Sequence, residues 1–234
     1  MKISHNWLRE FIKCAVAPAE LSETLNMLGI EVESFKDYAS TYSHFVIGYV
    51  EQCEKHPKAD KLSICVVTDG ERQYTVVCGA PNVATGQKIV FAKPGAVVPN
   101  GDFTIGVRTL RGVESNGMIC SKTELNLGDE SSGIWVLDDS FQIGMPLAEA
   151  LGLNDVIYEI SITPNRADAL SHRGIARALS VYYDLPLTTP GVTLNESATP
   201  NNISIQLPDT SCPRYMARSM KNVKVVESPQ WLKQ

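Results

Sequence analysis

The chain has 234 residues, 44% hydrophobic and 20% charged, which leaves room for one large or two ordinary domains with real cores and excludes a disordered or fibrous protein. Its 21 Lys and Arg stand against 26 Asp and Glu, and a formal net charge of −5 excludes a generally basic nucleic-acid binder. No apolar run approaches the roughly 18 residues of a membrane helix, and no signal-like stretch follows Lys2, so no membrane partner is expected.

Ser4 predicts the cap of a helix running to about Lys13, with Trp7, Leu8, Phe11 and Ile12 on one face. A second helix starts near Pro18, carries Leu21, Leu25 and Leu28 at helical spacing, and ends at Gly29. Ile30 to Phe35 then alternates as a strand. Val46 to Val50 and Leu62 to Val67 are also strand-like, with a turn at Thr68-Asp69-Gly70. Between them lies His56-Pro57-Lys58-Ala59-Asp60-Lys61-Leu62. The His-Pro step forces this loop out of helix, so Lys55, Lys58 and Lys61 are expected to project from a β-surface, with Asp60 fixing the loop. After short strand-and-turn blocks come a helix from about Pro146 to Leu151, ended by Gly152, and a strand from Val156 to Ile162. Asp168 or Ser171 caps the next helix, which places Ile175, Leu179 and Tyr182 at i, i+4, i+7. Thr188 to Asn202 reads as a linker; Ile203-Ser204-Ile205-Gln206-Leu207 enters a further domain, which the chain after Trp231 is too short to complete.

Charge is unevenly spread. Residues 42–123 carry nine Lys and Arg against seven Asp and Glu, whereas residues 124–155 carry seven acids and no Lys or Arg. RNA is thereby attracted to one part of the surface and repelled elsewhere. The cations available to phosphate are Lys55, Lys58, Lys61, Lys88, Lys93, Arg108 and Arg111; Ser115 and Asn116 are placed to bond a sugar or phosphate. His56 is a candidate to stack on a base or bond a phosphate, and Met118 to meet a base or fill a barrel mouth. A short β-barrel with a cationic loop is how an OB-fold holds a nucleic-acid backbone. Few aromatics interrupt the basic loops, so recognition of a folded RNA by shape and backbone is expected, and no DNA partner.

A second constellation, Asn165, Arg166, Asp168, His172, Arg173 and Arg177, reads as a polar network welding a strand end to a helix start, or as a contact with a partner subunit or RNA. Adjacent Ser171 and His172 form no catalytic pair, because neighbouring helical side chains point apart. Neither a phosphate-binding glycine loop nor an HExxH motif is present, so no catalytic residue is assigned. The six cysteines (14, 53, 65, 78, 120 and 212) have no metal-ligand spacing. Reduced, mostly buried thiols, no metal site and a cytoplasmic location are expected.

From about Val46 to Leu137, the blocks around Cys78-Gly79-Ala80-Pro81-Asn82, Gly86 to Ala92, Pro94 to Pro99 and Leu110 to Ser121 resemble the tRNA-binding OB module of several aminoacyl-tRNA synthetases and free-standing tRNA-binding proteins. The opening Met1 to Leu8 and the run Ile162 to Arg177 look like the start of the bacterial phenylalanyl-tRNA synthetase β chain; Cys212 to Arg218 resembles the entry into that family's editing domain. The resemblance implies an α+β chain that is an N-terminal fragment: an OB-fold barrel (41–151) inserted into a small split α+β domain (1–40 and 152–190), a linker (191–202) and the beginning of an editing-type domain (203–234). It further implies tRNA and the synthetase α subunit as partners, in a heterotetramer of two α and two β chains. ATP and magnesium would serve the parent enzyme and no cofactor this fragment. The alternatives are a subunit-assembly module and a free-standing tRNA-binding chaperone.

Overall fold

The computed structural model describes residues 1–101, 103–196, 203–208, 211–226, 228 and 232. In chain order the elements are β1 (Lys2–Ser4), α1 (His5–Phe11), α2 (Pro18–Met27), β2 (Glu31–Asp37), α3 (Tyr38–Thr41), β3 (Phe45–Lys55), β4 (Ser63–Thr68), β5 (Gln73–Cys78) and β6 (Lys88–Ala92). They continue with β7 (Val97–Val98), β8 (Phe103–Thr104), β9 (Val107–Leu110), β10 (Val113–Asn116), β11 (Met118–Ile119), β12 (Val136–Leu137), α4 (Leu147–Ala150), β13 (Val156–Ser161), a 3-10 turn (Pro164–Ala169) and α5 (His172–Tyr182).

Local signals set the helix ends. Ser4 Oγ accepts from Trp7 N at 2.9 Å and Ser171 Oγ from Gly174 N at 3.1 Å, so α1 and α5 start at hydroxyl caps. α2 begins at Pro18, whose missing N–H is one the first turn leaves unpaired in any case.

The antiparallel sheet β1-β13-β2 is made by two strands that precede β3 in sequence and one that follows β12. Its covered face shares one apolar cluster with α1, α2 and α5, holding Ile3, Leu8, Ile12, Leu21, Leu25 and Ile30 together with Tyr158, Ile160, Ile175 and Leu179. Two aromatic residues sit differently from expectation. Trp7 is 52% exposed and lies at the rim, and Tyr182 is 46% exposed. Tyr183 takes the inward position instead, its hydroxyl 2.8 Å from Thr24 Oγ1.

The larger sheet runs β11-β6-β3-β4-β5, with β12 also on β6. β10 and β11 return against β5, and Ser115 Oγ accepts from Val77 N at 3.0 Å, so the sheet curls into a nearly closed, OB-like barrel. Curling needs close approach inside. A Cβ on Gly48 would lie 2.8 Å from Phe91 Cβ and 2.9 Å from Ile89 Cδ1, so β3 passes there only without a side chain. The first half of β3 is buried on both faces: Val46 and Val50 point into the barrel, while Phe45 and Ile47 join Tyr42, Leu125, Leu147 and Leu151 in a second cluster. That sandwiched half explains the unbroken apolar run from Phe45 to Ile47.

Beyond α5, Thr188 N donates to Phe11 O at 2.7 Å and Leu187 bridges Ile12, so the chain stays docked on the end of α1 through Thr188. Residues 203–208, expected to open a further domain, form no strand and are exposed. Part of the expected linker (197–202) and Trp231 lie outside the described residues.

Candidate nucleic-acid interface

Lys55 ends β3 and pairs with Ser63 of β4, closing the base of the basic loop. Inside it, His56 N donates to Leu62 O at 3.0 Å and Leu62 N to Ala59 O at 3.0 Å. The His56 ring completes the turn, its Nδ1 accepting from Lys58 N at 3.0 Å. An accepting Nδ1 puts the proton of the neutral ring on Nε2, which is enclosed and without a hydrogen-bond partner. His56 is only 4% exposed, which corrects its expected role as a surface stacker: the turn takes the ring inward as a brace. Asp60, expected to fix the loop, is exposed, and that task falls to His56.

Braced in this way, the loop turns Lys55, Lys58 and Lys61 outward. Across from it, β9 and β10 form a hairpin whose turn holds Arg111 at φ 52 and Gly112 at φ 93. The Lys58 ammonium lies 3.9 Å from where a Gly112 Cβ would be. The two basic loops therefore meet. Arg108 and Arg111 are exposed on that hairpin.

Other expected contacts are committed to the fold. Lys88 Nζ donates to the carbonyls of Asp139 and Phe141. Lys93 Nζ lies 2.6 Å from Asp69 Oδ2. Ser115 is 5% exposed and also donates to Gly117 O at 3.4 Å, while Asn116 Nδ2 donates to Glu114 Oε1 at 3.1 Å. Ser115 is thus removed from the surface by the closure of the barrel, and Lys88 and Lys93 are taken up by acceptors from distant loops.

Sequence reasoning missed two carboxylates. Asp69 accepts from Glu71 N at 3.0 Å, Arg72 N at 2.8 Å, the Tyr74 hydroxyl at 3.1 Å and Lys93. Burial opposes its ionisation, but Lys93 and these donors outweigh burial and hold the carboxyl well below the usual range. Glu124 Oε2 accepts from Ser121 N at 2.6 Å, and Glu124 N donates to Ser121 Oγ at 3.3 Å. The spacing Ser-x-x-Glu is the signal that points to this reciprocal pair. Both residues line a shallow cleft of about 420 Å³ with Cys78, Gly79, Ala80 and Met118. Half-buried Met118 thus borders an open cleft beside β5.

The second constellation divides likewise. Arg166 reaches Leu28 O at the end of α2 (3.1 Å) and pairs with Asp168 (3.1 Å). His172 Nε2 accepts from Ser4 N at 3.0 Å, and its ring lies 4.0 Å from that of Trp7. Asn165, Arg173 and Arg177 are exposed. Among the described residues no group of three or more His, Cys, Asp or Glu is arranged to hold a metal ion. The exposed side chains of Lys55, Lys58, Lys61, Arg108 and Arg111 make the surface at the two loops cationic.

Residues 45–146 match the family model described as "Putative tRNA binding domain". Over 99% of its length the chain is 43% identical to the phenylalanine–tRNA ligase beta subunit of Geobacter sulfurreducens. Over its whole length it is 43% identical to that of Pasteurella multocida and 38% identical to that of Syntrophus aciditrophicus. It spans 29–30% of the length of these curated relatives. Among solved structures, a MetRS related protein from Pyrococcus horikoshii shares 22% identity at a TM-score of 0.33, over 44% of this chain and 87% of that one. In sequence the chain is therefore similar along its whole length to phenylalanine–tRNA ligase beta subunits, and its barrel segment, residues 45–146, is similar to the putative tRNA binding domain.

Proposed function

We propose that the barrel binds tRNA through its phosphate backbone, using Lys55, Lys58, Lys61, Arg108 and Arg111, as the tRNA-binding N-terminal part of a phenylalanine–tRNA ligase β subunit. The observation that carries this reading is the approach of Lys58 to Gly112, which joins two basic loops into one cationic surface. The whole assembly, with an α subunit, charges tRNA with phenylalanine using ATP and magnesium in the cytoplasm. No step through ATP or magnesium is assigned to these residues; among the described residues no three His, Cys, Asp or Glu are grouped to hold an ion. Phosphate contacts carry no sequence information, so affinity for tRNA is weak and nearly independent of the anticodon. With about three of these five cations in contact with phosphate, a salt titration of tRNA binding gives a slope of log K against log salt near −2 to −3. An affinity that does not respond to salt overturns the reading.

The domain organisation follows the same proposal: residues 1–40 and 152–190 act as one α+β unit, with the barrel of 41–151 inserted. Support comes from β13, which pairs with both β1 and β2, and from the apolar cluster that runs from Ile3 to Leu179. The outward face of α5, with Arg173, Arg177 and Val181 (80% exposed), favours subunit assembly as a second role for this unit.

A further inference from the structure

Cys53 on β3 and Cys65 on β4 are directly opposite in the sheet register, and their sulfurs lie 3.5 Å apart, with the Cys65 S–H directed at Cys53 Sγ. Opposed residues in an antiparallel pair have Cα atoms about 4.5–5.5 Å apart, within the span a disulfide bridges. Cys78 lies on β5 opposite Ser63, diagonal to Cys65, where Cβ separations of about 7 Å are too long for a bond. Accessibility divides the pair. Cys65 is fully buried, whereas Cys53 is only partly buried, its Sγ also 3.8 Å from Val83 O.

We propose that Cys53 and Cys65 form a dithiol modification site whose co-reactant is a hydroperoxide. The Cys53 thiolate attacks the outer peroxide oxygen; the O–O bond breaks, and the departing oxygen leaves as water or an alcohol after taking a proton. Cys65 sulfur then attacks the resulting Cys53 sulfenic acid. The S–O bond breaks, hydroxide leaves with the Cys65 proton as water, and the S–S bond forms. Two thiols are oxidised and one peroxide is reduced. The contact between the sulfurs gives Cys65 its resolving position, and burial keeps Cys65 itself from meeting the peroxide first. The bridge closes segment 53–65, the segment that carries Lys55, Lys58 and Lys61.

The test treats the protein, with exposed Cys212 replaced by serine, with one equivalent of hydrogen peroxide, then alkylates it and maps its peptides without reductant. The expected result is one linked peptide joining Cys53 to Cys65, lighter by two hydrogens, with two alkylatable thiols lost and both restored by dithiothreitol. In Cys65→Ser, Cys53 is trapped by dimedone as the sulfenic acid. Native-like melting of that variant shows whether it folds, and the linked peptide in the parent protein is read independently of it. Peroxide treatment that leaves both thiols alkylatable, or that drives Cys53 to sulfinic acid without the linked peptide, overturns the proposal.

Discussion

The Lys93 ammonium sits 2.6 Å from Asp69 Oδ2, a carboxylate whose side chain is only 2% exposed. The carboxylate lies at the β4–β5 turn and the lysine just past β6, so the pair ties together two segments that share no ladder. A buried carboxylate with four donors cannot lose its cation without leaving charge unpaired. Lys93 therefore serves the barrel.

Replacing Asp69 by asparagine lowers barrel stability by about 2 kcal/mol, the scale of a hydrogen-bonded charged group. Because the folded carboxyl lies below its unfolded value, its contribution is complete above the ordinary carboxylate range and is lost as pH falls through the folded value. Urea melts of wild type and Asp69→Asn therefore converge as the buffer is taken toward acid. Curves that stay equally far apart at every pH exclude this account.

Replacing Lys58 and Lys61 together by alanine flattens the salt slope of tRNA binding by about 1.4–1.8, at roughly 0.7–0.9 for each phosphate contact. The melting temperature stays unchanged, since exposed loop lysines add little stability. Lys88→Ala with Lys93→Ala does the reverse, lowering the melt and keeping the slope. Parallel slopes for wild type and the Lys58/Lys61 variant remove the loop from the RNA surface.

His5 and His172 make the α1 end sensitive to acid. Burial lowers the pKa of both rings; Arg9 lowers that of His5 further, and Asp155 opposes the shift in each. A lowered histidine contributes stability that is full above its unfolded value near 6.5 and declines as pH falls below it. Protonated His172 can no longer accept from Ser4 N. Thermal melts from pH 7.5 to 5 therefore fall more steeply for wild type than for His172→Ala, which starts lower by about 1 kcal/mol. Identical pH dependence in the two proteins contradicts the assignment.

Gly48→Ala inserts a methyl group 2.8 Å from Phe91 Cβ in the barrel interior. Overpacking of this kind costs about 1–3 kcal/mol, and chemical denaturation measures it directly. A neutral result means that β3 can move away from β6 at no cost.

The proposed insertion gives different outcomes for the two units. An isolated segment of residues 41–151 is expected to melt cooperatively, because it contains every strand of the larger sheet. Residues 1–40 alone lack β13, the strand between β1 and β2, and stay unfolded by circular dichroism. A cooperative melt of that short peptide rules out the insertion.

Signals that act within a few residues were legible in the chain itself. Ser4 and Ser171 cap their helices, Pro18 opens α2, and the His56-Pro57 step makes a loop rather than a helix, because each acts on backbone groups beside it. The barrel blocks were legible by their resemblance to a known tRNA-binding module, and the basic loop by its His-Pro step and its lysines. Only the tertiary structure decided which cations remain free. Lys88 is held by carbonyls near residue 140, Lys93 by Asp69, and His56 turns inward to brace its loop, so five exposed cations remain of the seven candidates. The tilted contact of Trp7 with His172 and the facing of Cys53 and Cys65 likewise depend on partners brought together by sheet register and packing. A side chain's local pattern gives its charge and its element; whether that charge faces solvent is settled by acceptors that folding brings from elsewhere in the chain.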